Sequence, residues 1–278
     1  MHGNENIFVA ESAGEDGVLN ITGGSVTNLN GFIGFNAGSS GTATVSSGTW
    51  ANSGNLNVGM SGTGTLTLNG GLVIVSGTLS QGVSGTIALN SGGTLQIGVG
   101  GTTGVLLGGT GSLTNNGTLV FNRSNASTYS GRVTGSGSVV KQGAGQLTLT
   151  GSNTYSGGTT IQSGKVEVPQ SGAVIHESAN LVVAQSAGDI SDFAVAGGFV
   201  SGSAGYLGVN AGSIGTATVS SGTWANSNDL TVGISGTGTL TISGGLVIVG
   251  GTLSKGANGT INLNPGFFGT FSGTVTAA

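Results

Sequence analysis

Few side chains in this 278-residue chain have the chemistry for acid–base, nucleophilic or metal-dependent work. There are nine acids: Glu5, Glu11, Glu15, Asp16, Glu167, Glu177, Asp189, Asp192 and Asp229. Hydrolysis of a glycosidic bond needs two carboxyl groups placed across it. The densest acidic group is Glu11, Glu15 and Asp16, with Asp189 at the repeat-equivalent of Glu15. These acids fall in a glycine-containing corner, where solvated turn residues are expected; a weak calcium contact or a functional surface is the alternative. The Gly-Gly-x-Gly-x-Asp spacing of the nonapeptide calcium roll is absent. His2 and His176 have no second ligand at metal spacing, and His176 beside Glu177 reads as a surface pair. No Gly-x-Ser-x-Gly element lies between a strand and a helix, and the Gly-x-Gly stretches lack the helix that cradles a dinucleotide. No catalytic, cofactor or metal site is therefore expected.

Composition excludes further classes. Without cysteine there are no disulfides and no thiolate metal sites, which suits a chain that crosses an oxidising compartment unfolded. Charged residues make up 5%, against about 25% in ordinary domains. Mean hydropathy is +0.28, and Val, Leu and Ile alternate with Thr, Ser and Asn, which argues for ordered β structure and against disorder. The bases Arg123, Arg132, Lys141, Lys165 and Lys255 are scattered, so no nucleic-acid partner is expected. No apolar run approaches the length that a membrane-spanning helix needs, so no membrane insertion by a helix is expected. The N-terminus lacks a basic and an apolar signal region, and neither end reads as a solenoid cap; a segment of a longer protein is expected.

The elements that must position these residues are repeats. Phe32 to Asn90 returns as Tyr206 to Asn264, displaced by 174 (206 − 32), with 44 of 59 pairs identical. Val9-Ala10 pairs with Val183-Ala184 at the same displacement. Within a module, Gly-Val-Leu-Asn-Ile-Thr at Gly17 aligns with Gly-Thr-Ala-Thr-Val-Ser at Gly41 and Gly-Thr-Leu-Thr-Leu-Asn at Gly64, steps of 24 (41 − 17) and 23 (64 − 41). A period in this range fits a solenoid, whose units bury their apolar sides only by stacking.

Inside each unit the alternation has period two. Leu19/Ile21, Ala43/Val45 and Leu66/Leu68 form the inward set, and Thr42/Thr44, Thr65/Thr67 and Asn20/Thr22 the outward set. Glycine pairs punctuate these runs at short intervals and supply the corners. With three short strands per coil, the chain reads as all-β: a right-handed single-stranded parallel β-helix (β-solenoid) of roughly triangular coils of about 24 residues. The expected organisation is one continuous solenoid over 1–278, with repeat module A at 7–90, spacer coils at 91–134, a distinct repeat at 135–168 and repeat module B at 181–264. Pro169 and Pro265 follow strand-like runs, where a missing N–H is tolerated.

Trp50 and Trp224 share one repeat position, as do Phe32 and Tyr206. Facing outward, the tryptophans would anchor a partner or a glycan; facing inward, they would fill the core or cap a corner. Tyr129 and Tyr155 are expected to stack at corners, and Phe267, Phe268 and Phe271 to cover the end of the core. The possible interaction surface is thus Trp50, Trp224, Thr42, Thr44, Thr65 and Thr67. Ranks of Thr42/Thr44 and Thr65/Thr67, flanked by Asn20/Thr22 and interrupted at Ala88 and Asn90, also resemble the face of ice-binding solenoids, although exposed strand positions favour threonine in any case.

Gly135 to Ile161 resembles the autotransporter-associated β-strand repeat. It has a lysine followed closely by glycine (Lys141, Gly143, with Gln142 between), the Leu147-Thr148-Leu149 strand, and the corner Asn153-Thr154-Tyr155-Ser156-Gly157-Gly158-Thr159. The modules resemble a second, T5SS/PEP-CTERM-type repeat through Val58-Gly59 to Thr67 and Val232-Gly233 to Thr241. These resemblances imply a passenger domain of a Gram-negative autotransporter (type V secretion), displayed at the cell surface by a C-terminal translocator barrel missing here. They imply no cofactor, and as partners a host or abiotic surface or a second copy of the chain. The sequence-level function is a structural or adhesive segment; a carbohydrate-active enzyme and an ice-binding solenoid are the alternatives.

Overall fold

The computed structural model describes residues 5–107, 112–176 and 178–264, and the backbone of the strand Thr274–Ala277. His2, Glu177, Pro265, Phe267, Phe268 and Phe271 lie outside the described residues. The described elements are all strands, paired in parallel as a β-solenoid. The chain forms two compact units, Met1–Arg123 with Tyr129–Gly137, and Ser124–Thr128 with Ser138–Ala278.

In the first unit one coil has three faces. Ile7–Val9, Gly31–Ile33, Leu56–Val58, Thr78–Gln81 and Val105–Leu106 stack on the first. The other two faces are arms of one bent strand, Ser40–Asn52. Its Ser40 to Val45 arm pairs with Thr63–Leu68, and its Thr49 to Asn52 arm with Leu72–Val75. The bend coincides with a register break at Thr22 in the preceding strand Asp16–Asn28. The second unit repeats this plan: Leu181–Val183, Gly205–Leu207, Leu230–Val232 and Thr252–Lys255 form one face, and Ile190–Gly202 and Ile214–Asn226 are the bent strands.

In the modules the register partners Val18 and Thr42 are 24 apart (42 − 18), and Thr42 and Thr65 are 23 apart (65 − 42). Ile214 and Thr237 are also 23 apart (237 − 214), so the coil step agrees with the sequence period. The coils of the distinct repeat are shorter: 20 from Val139 to Thr159, 19 from Gln146 to Lys165, 21 from Ser152 to Ala173. The difference lies in the corners. Only Gly143, Ala144 and Gly145 join Ser138–Gln142 to Gln146–Leu149, whereas the whole run from Gly34 to Ser39 joins Gly31–Ile33 to Ser40–Asn52.

The alternation places side chains as the period-two pattern requires. Ala43, Val45, Leu66 and Leu68 are wholly buried and stack as Ala43 on Leu66 and Val45 on Leu68. Each buried Leu or Val contributes about 1.5–3 kcal/mol against the entropy of ordering the chain. Pro169, at the end of the strand Ser163–Pro169, sits at a register irregularity, as a residue without an N–H should.

The corner after the first face demands a left-handed backbone. Gly34, Gly59, Gly208 and Gly233 occupy it with φ of 67°, 66°, 63° and 72°, and a Cβ on Gly208 would land on the Thr237 carbonyl oxygen. In the first coil of each module the position is Ala10 (φ 64°) or Ala184 (φ 59°). Left-handed backbone costs an L-residue about 1–2 kcal/mol, so both alanines are strained. Ala184→Gly is expected to raise the denaturant midpoint by the equivalent of about 0.5–1 kcal/mol, whereas Gly208→Ala lowers it by at least about 2 kcal/mol. Equal responses would show that the corner does not require this conformation.

The interior also holds polar side chains. Buried Asn28 accepts from Trp50 Nε1 at 2.7 Å and donates from Nδ2 to Asn52 Oδ1 at 2.8 Å. The second module carries Gly202 in place of Asn28 (202 − 174), and there both amide atoms of buried Asn226 lack a partner. Transferring this difference to the first module by Asn28→Gly leaves Trp50 Nε1 and Asn52 Oδ1 unsatisfied. The expected cost is about 2–4 kcal/mol in chemical denaturation, and a loss below about 1 kcal/mol would mean that solvent replaces the amide.

Candidate functional site

Two of the six residues expected to form an interaction surface do not reach it. Trp50 and Trp224 are both 0% exposed, their rings closed into the core where Trp50 stacks on Val73 and Trp224 on Val247. The correction follows from strand parity: each lies an even number of residues from the buried Asn52 or Asn226, so it shares their inward face.

Thr42, Thr44, Thr65 and Thr67 do face outward and are half-buried by one another, Thr42 on Thr65 and Thr44 on Thr67. Their flanks differ from the sequence expectation. Val18/Asn20 precede them and Thr86/Ala88 follow, because Thr22 falls at the register break and Asn90 beyond the strand Gly85–Leu89. In the second unit the same rank runs Gln146/Thr148, Lys165/Glu167, Asp192/Ala194, Thr216/Thr218, Thr239/Thr241 and Thr260/Asn262.

Charge collects at one step of that second rank. Lys165 Nζ meets Glu167 Oε2 at 2.8 Å, on one face of the same strand. Asp192 Oδ1 accepts from Thr216 Oγ1. Between these pairs Ala194 contributes only a methyl group, and the ladder dips into a cavity of about 360 Å³ that Thr218 and Ser220 also line. The notch offers hydroxyls, a carboxylate and an ion pair to a polar partner. The sequence hid it because the step from Lys165 to Asp192 is 27 (192 − 165), longer than any module step, so the acids and the lysine fall out of the repeat period. Among the described residues no three His, Asp or Glu side chains converge on a metal position.

Of the expected corner acids, Glu15 and Asp189 lie in corners, whereas Asp16 opens the strand Asp16–Asn28 and pairs with Ser40. Glu15 Oε2 accepts from the N–H groups of Glu11 and Ser12 at 2.8 and 2.9 Å, and Asp189 Oδ2 does the same for Gln185 and Ser186. The backbone hydrogen bonds from Ser12 and Glu11 lower the Glu15 pKa.

Inside the distinct repeat the hallmark residues point inward. Lys141 is 1% exposed, and its ammonium donates to the carbonyls of Gln142, Gly143 and Ser163 at 2.6, 2.7 and 3.2 Å. Burial lowers its pKa to about 8, so at neutral pH all three protons remain to serve those three acceptors. Buried Asn153 donates to the Gly151 and Ala173 carbonyls, tying one coil to the next. Tyr155, wholly buried, bonds through its hydroxyl to Thr159 Oγ1 at 2.6 Å, which in turn meets His176 Nε2 at 2.7 Å. The Tyr155 and His176 rings lie 5.1 Å apart. His176 is thus a core residue, not half of a surface pair: strand parity after Val174 turns it inward. Tyr129 likewise packs inside its unit against Phe121, and burial raises its pKa to about 12.

Burial lowers the His176 pKa from 6.5 to about 4. Between these values the unfolded chain binds a proton that the folded chain refuses, so stability is full above about pH 6.5 and falls as pH drops towards about 4. The difference corresponds to about 3 kcal/mol. His176→Gln is expected to flatten that segment of the stability–pH curve relative to the parent; an unchanged slope would assign acid sensitivity to other groups. Lys141→Met is expected to cost about 1–3 kcal/mol at neutral pH, read by denaturation, because three carbonyls lose their donor.

Residues 139–168 match the family model described as passenger-associated-transport-repeat. The matched stretch is a small part of the chain and contains Lys141, Asn153, Tyr155 and Thr159. It supports reading this part of the chain as an autotransporter passenger repeat. Comparison with curated proteins and with solved structures finds no match in either set.

Proposed function

We propose that the chain is a structural and adhesive passenger segment of an autotransporter-like protein, displayed at the surface of a Gram-negative bacterium. The observation that carries this reading is the passenger-associated-transport-repeat match, whose stretch holds the buried pins of its coils. A repeat built in this manner specifies a stack. The work of contact falls to the outward ranks, where threonines, asparagines and serines meet solvent in register. Low charge reduces repulsion between copies and favours lateral contact through these ladders. The parent protein's barrel and export signal belong to the same proposal.

The test is display of this segment on a non-adherent bacterium, fused to a translocator barrel, with settling followed against a barrel-only control. Faster settling is expected, and replacing Thr216, Thr218, Thr239 and Thr241 by lysine should slow it. Settling at the control rate, with the segment shown at the surface by antibody, would remove self-association from the reading.

A further inference from the structure

The two modules share one backbone plan, yet they differ at one outward groove on the first face. In the second module Asn180, Val182, Gln185, Tyr206, Val209 and Ile234 line a cavity of about 320 Å³. Subtracting 174 gives the counterparts Asn6, Phe8, Glu11, Phe32, Phe35 and Met60. There the space is taken up by three phenylalanine rings: Phe8 stacks on Phe32 at 4.8 Å, and Phe35 packs edge-on against both at 5.4 and 4.9 Å. Five of the six lining positions differ between modules, although 44 of the 59 pairs from Phe32 onward are identical. The duplication has kept the coil and changed this lining.

The changes have a consistent chemistry. Val182 and Val209 replace two rings by smaller aliphatic groups and open the groove. Tyr206 keeps a ring at the Phe32 position and adds a hydroxyl. Gln185 replaces the acid Glu11, so the lining carries no charge. The corner beneath is fixed, because Asp189 caps the Gln185 and Ser186 N–H groups, and Asn180 Oδ1 accepts from the Ala204 N–H at 3.2 Å. Among the described residues no hydrogen bond engages the Tyr206 hydroxyl or the Gln185 side-chain amide. The groove therefore combines an aromatic ring, three aliphatic side chains and three uncharged hydrogen-bonding groups. Its volume lies at the low end of small-ligand clefts, about 300–1,000 Å³.

We infer that this groove binds a neutral saccharide ring. A pyranose offers a C–H face to a tyrosine ring and aliphatic side chains, and a rim of hydroxyls to amides and a phenol; an ionised ligand would find no counter-charge among the lining residues. The inference deepens the adhesive reading, on which it rests, by naming the class of surface that the segment would hold. The first module, closed by its own rings, serves as the internal control.

The test is binding of the purified chain to an array of neutral and sialylated oligosaccharides, with calorimetric titration of the strongest neutral member. Binding of neutral glycans is expected, with Tyr206→Ala weakening it at least tenfold, Tyr206→Phe a few-fold, and Phe8→Ala leaving it unchanged. Circular dichroism confirms that each variant remains folded, and Ile234→Asp, a change at an exposed side chain, provides a second blocking variant. No binding of any neutral glycan at millimolar concentration, preference for sialylated glycans, or binding undiminished by both Tyr206→Ala and Ile234→Asp would overturn the inference. Failure here with faster settling of displaying cells would leave adhesion standing without this groove. Glycan binding without settling would keep the groove and remove self-association.

Discussion

A strand with a neighbour on each side must offer both edges of its backbone to hydrogen bonds, and in a parallel stack it must do so at the same position in every coil. That demand governs the rest of this structure. It fixes register, and register decides which side chain meets which: Ala43 on Leu66, Val45 on Leu68, Thr42 on Thr65. A slip of one residue would turn every inward leucine to solvent. It also explains the glycines at the first-face corners, since the chain must turn there without a side chain striking the next coil's backbone.

The interior is not purely apolar, and its polar members act as coil-to-coil ties. Asn28 and Asn52 in the first module, and Lys141, Asn153, Tyr155, Thr159 and His176 in the second unit, are buried. Most spend their donors and acceptors on corner carbonyls or on each other. Such groups are costly unless satisfied, so they favour one stacking arrangement over its neighbours. In the stretch that matches the passenger-repeat model, Lys141, Asn153 and Tyr155 are spaced for the inside of a short coil.

Much of this was legible in the sequence. The duplicated module is plain in the residue identities, and the period-two alternation and the coil step follow from backbone geometry. What was not legible depends on facing and on coil length. The tryptophans resembled surface anchors because a lone aromatic in a polar repeat carries no label for its face; only the parity counted from Asn52 or Asn226 places it inside. His176 resembled a surface residue because its neighbour is an acid. The Lys165, Glu167 and Asp192 notch was hidden by an unusually long step, where a short repeat coil gives way to a longer module coil. The Tyr206 groove is half legible, since Phe32 and Tyr206 share a repeat position, but its lining from three coils depends on the register.

In-register parallel stacking can be tested directly because the chain contains no cysteine. Thr218 and Thr241 are register partners on the outer face of adjacent coils, and Asn262 follows Thr241 one coil further on. Adjacent strands lie about 4.8 Å apart, within the Cα range of a disulfide, whereas two steps of about 9.6 Å exceed it. In-register stacking predicts that Thr218→Cys with Thr241→Cys oxidises to an intramolecular disulfide in the folded chain, while Thr218→Cys with Asn262→Cys keeps free thiols. Efficient cross-linking of the second pair, or none of the first under the same conditions, would contradict it.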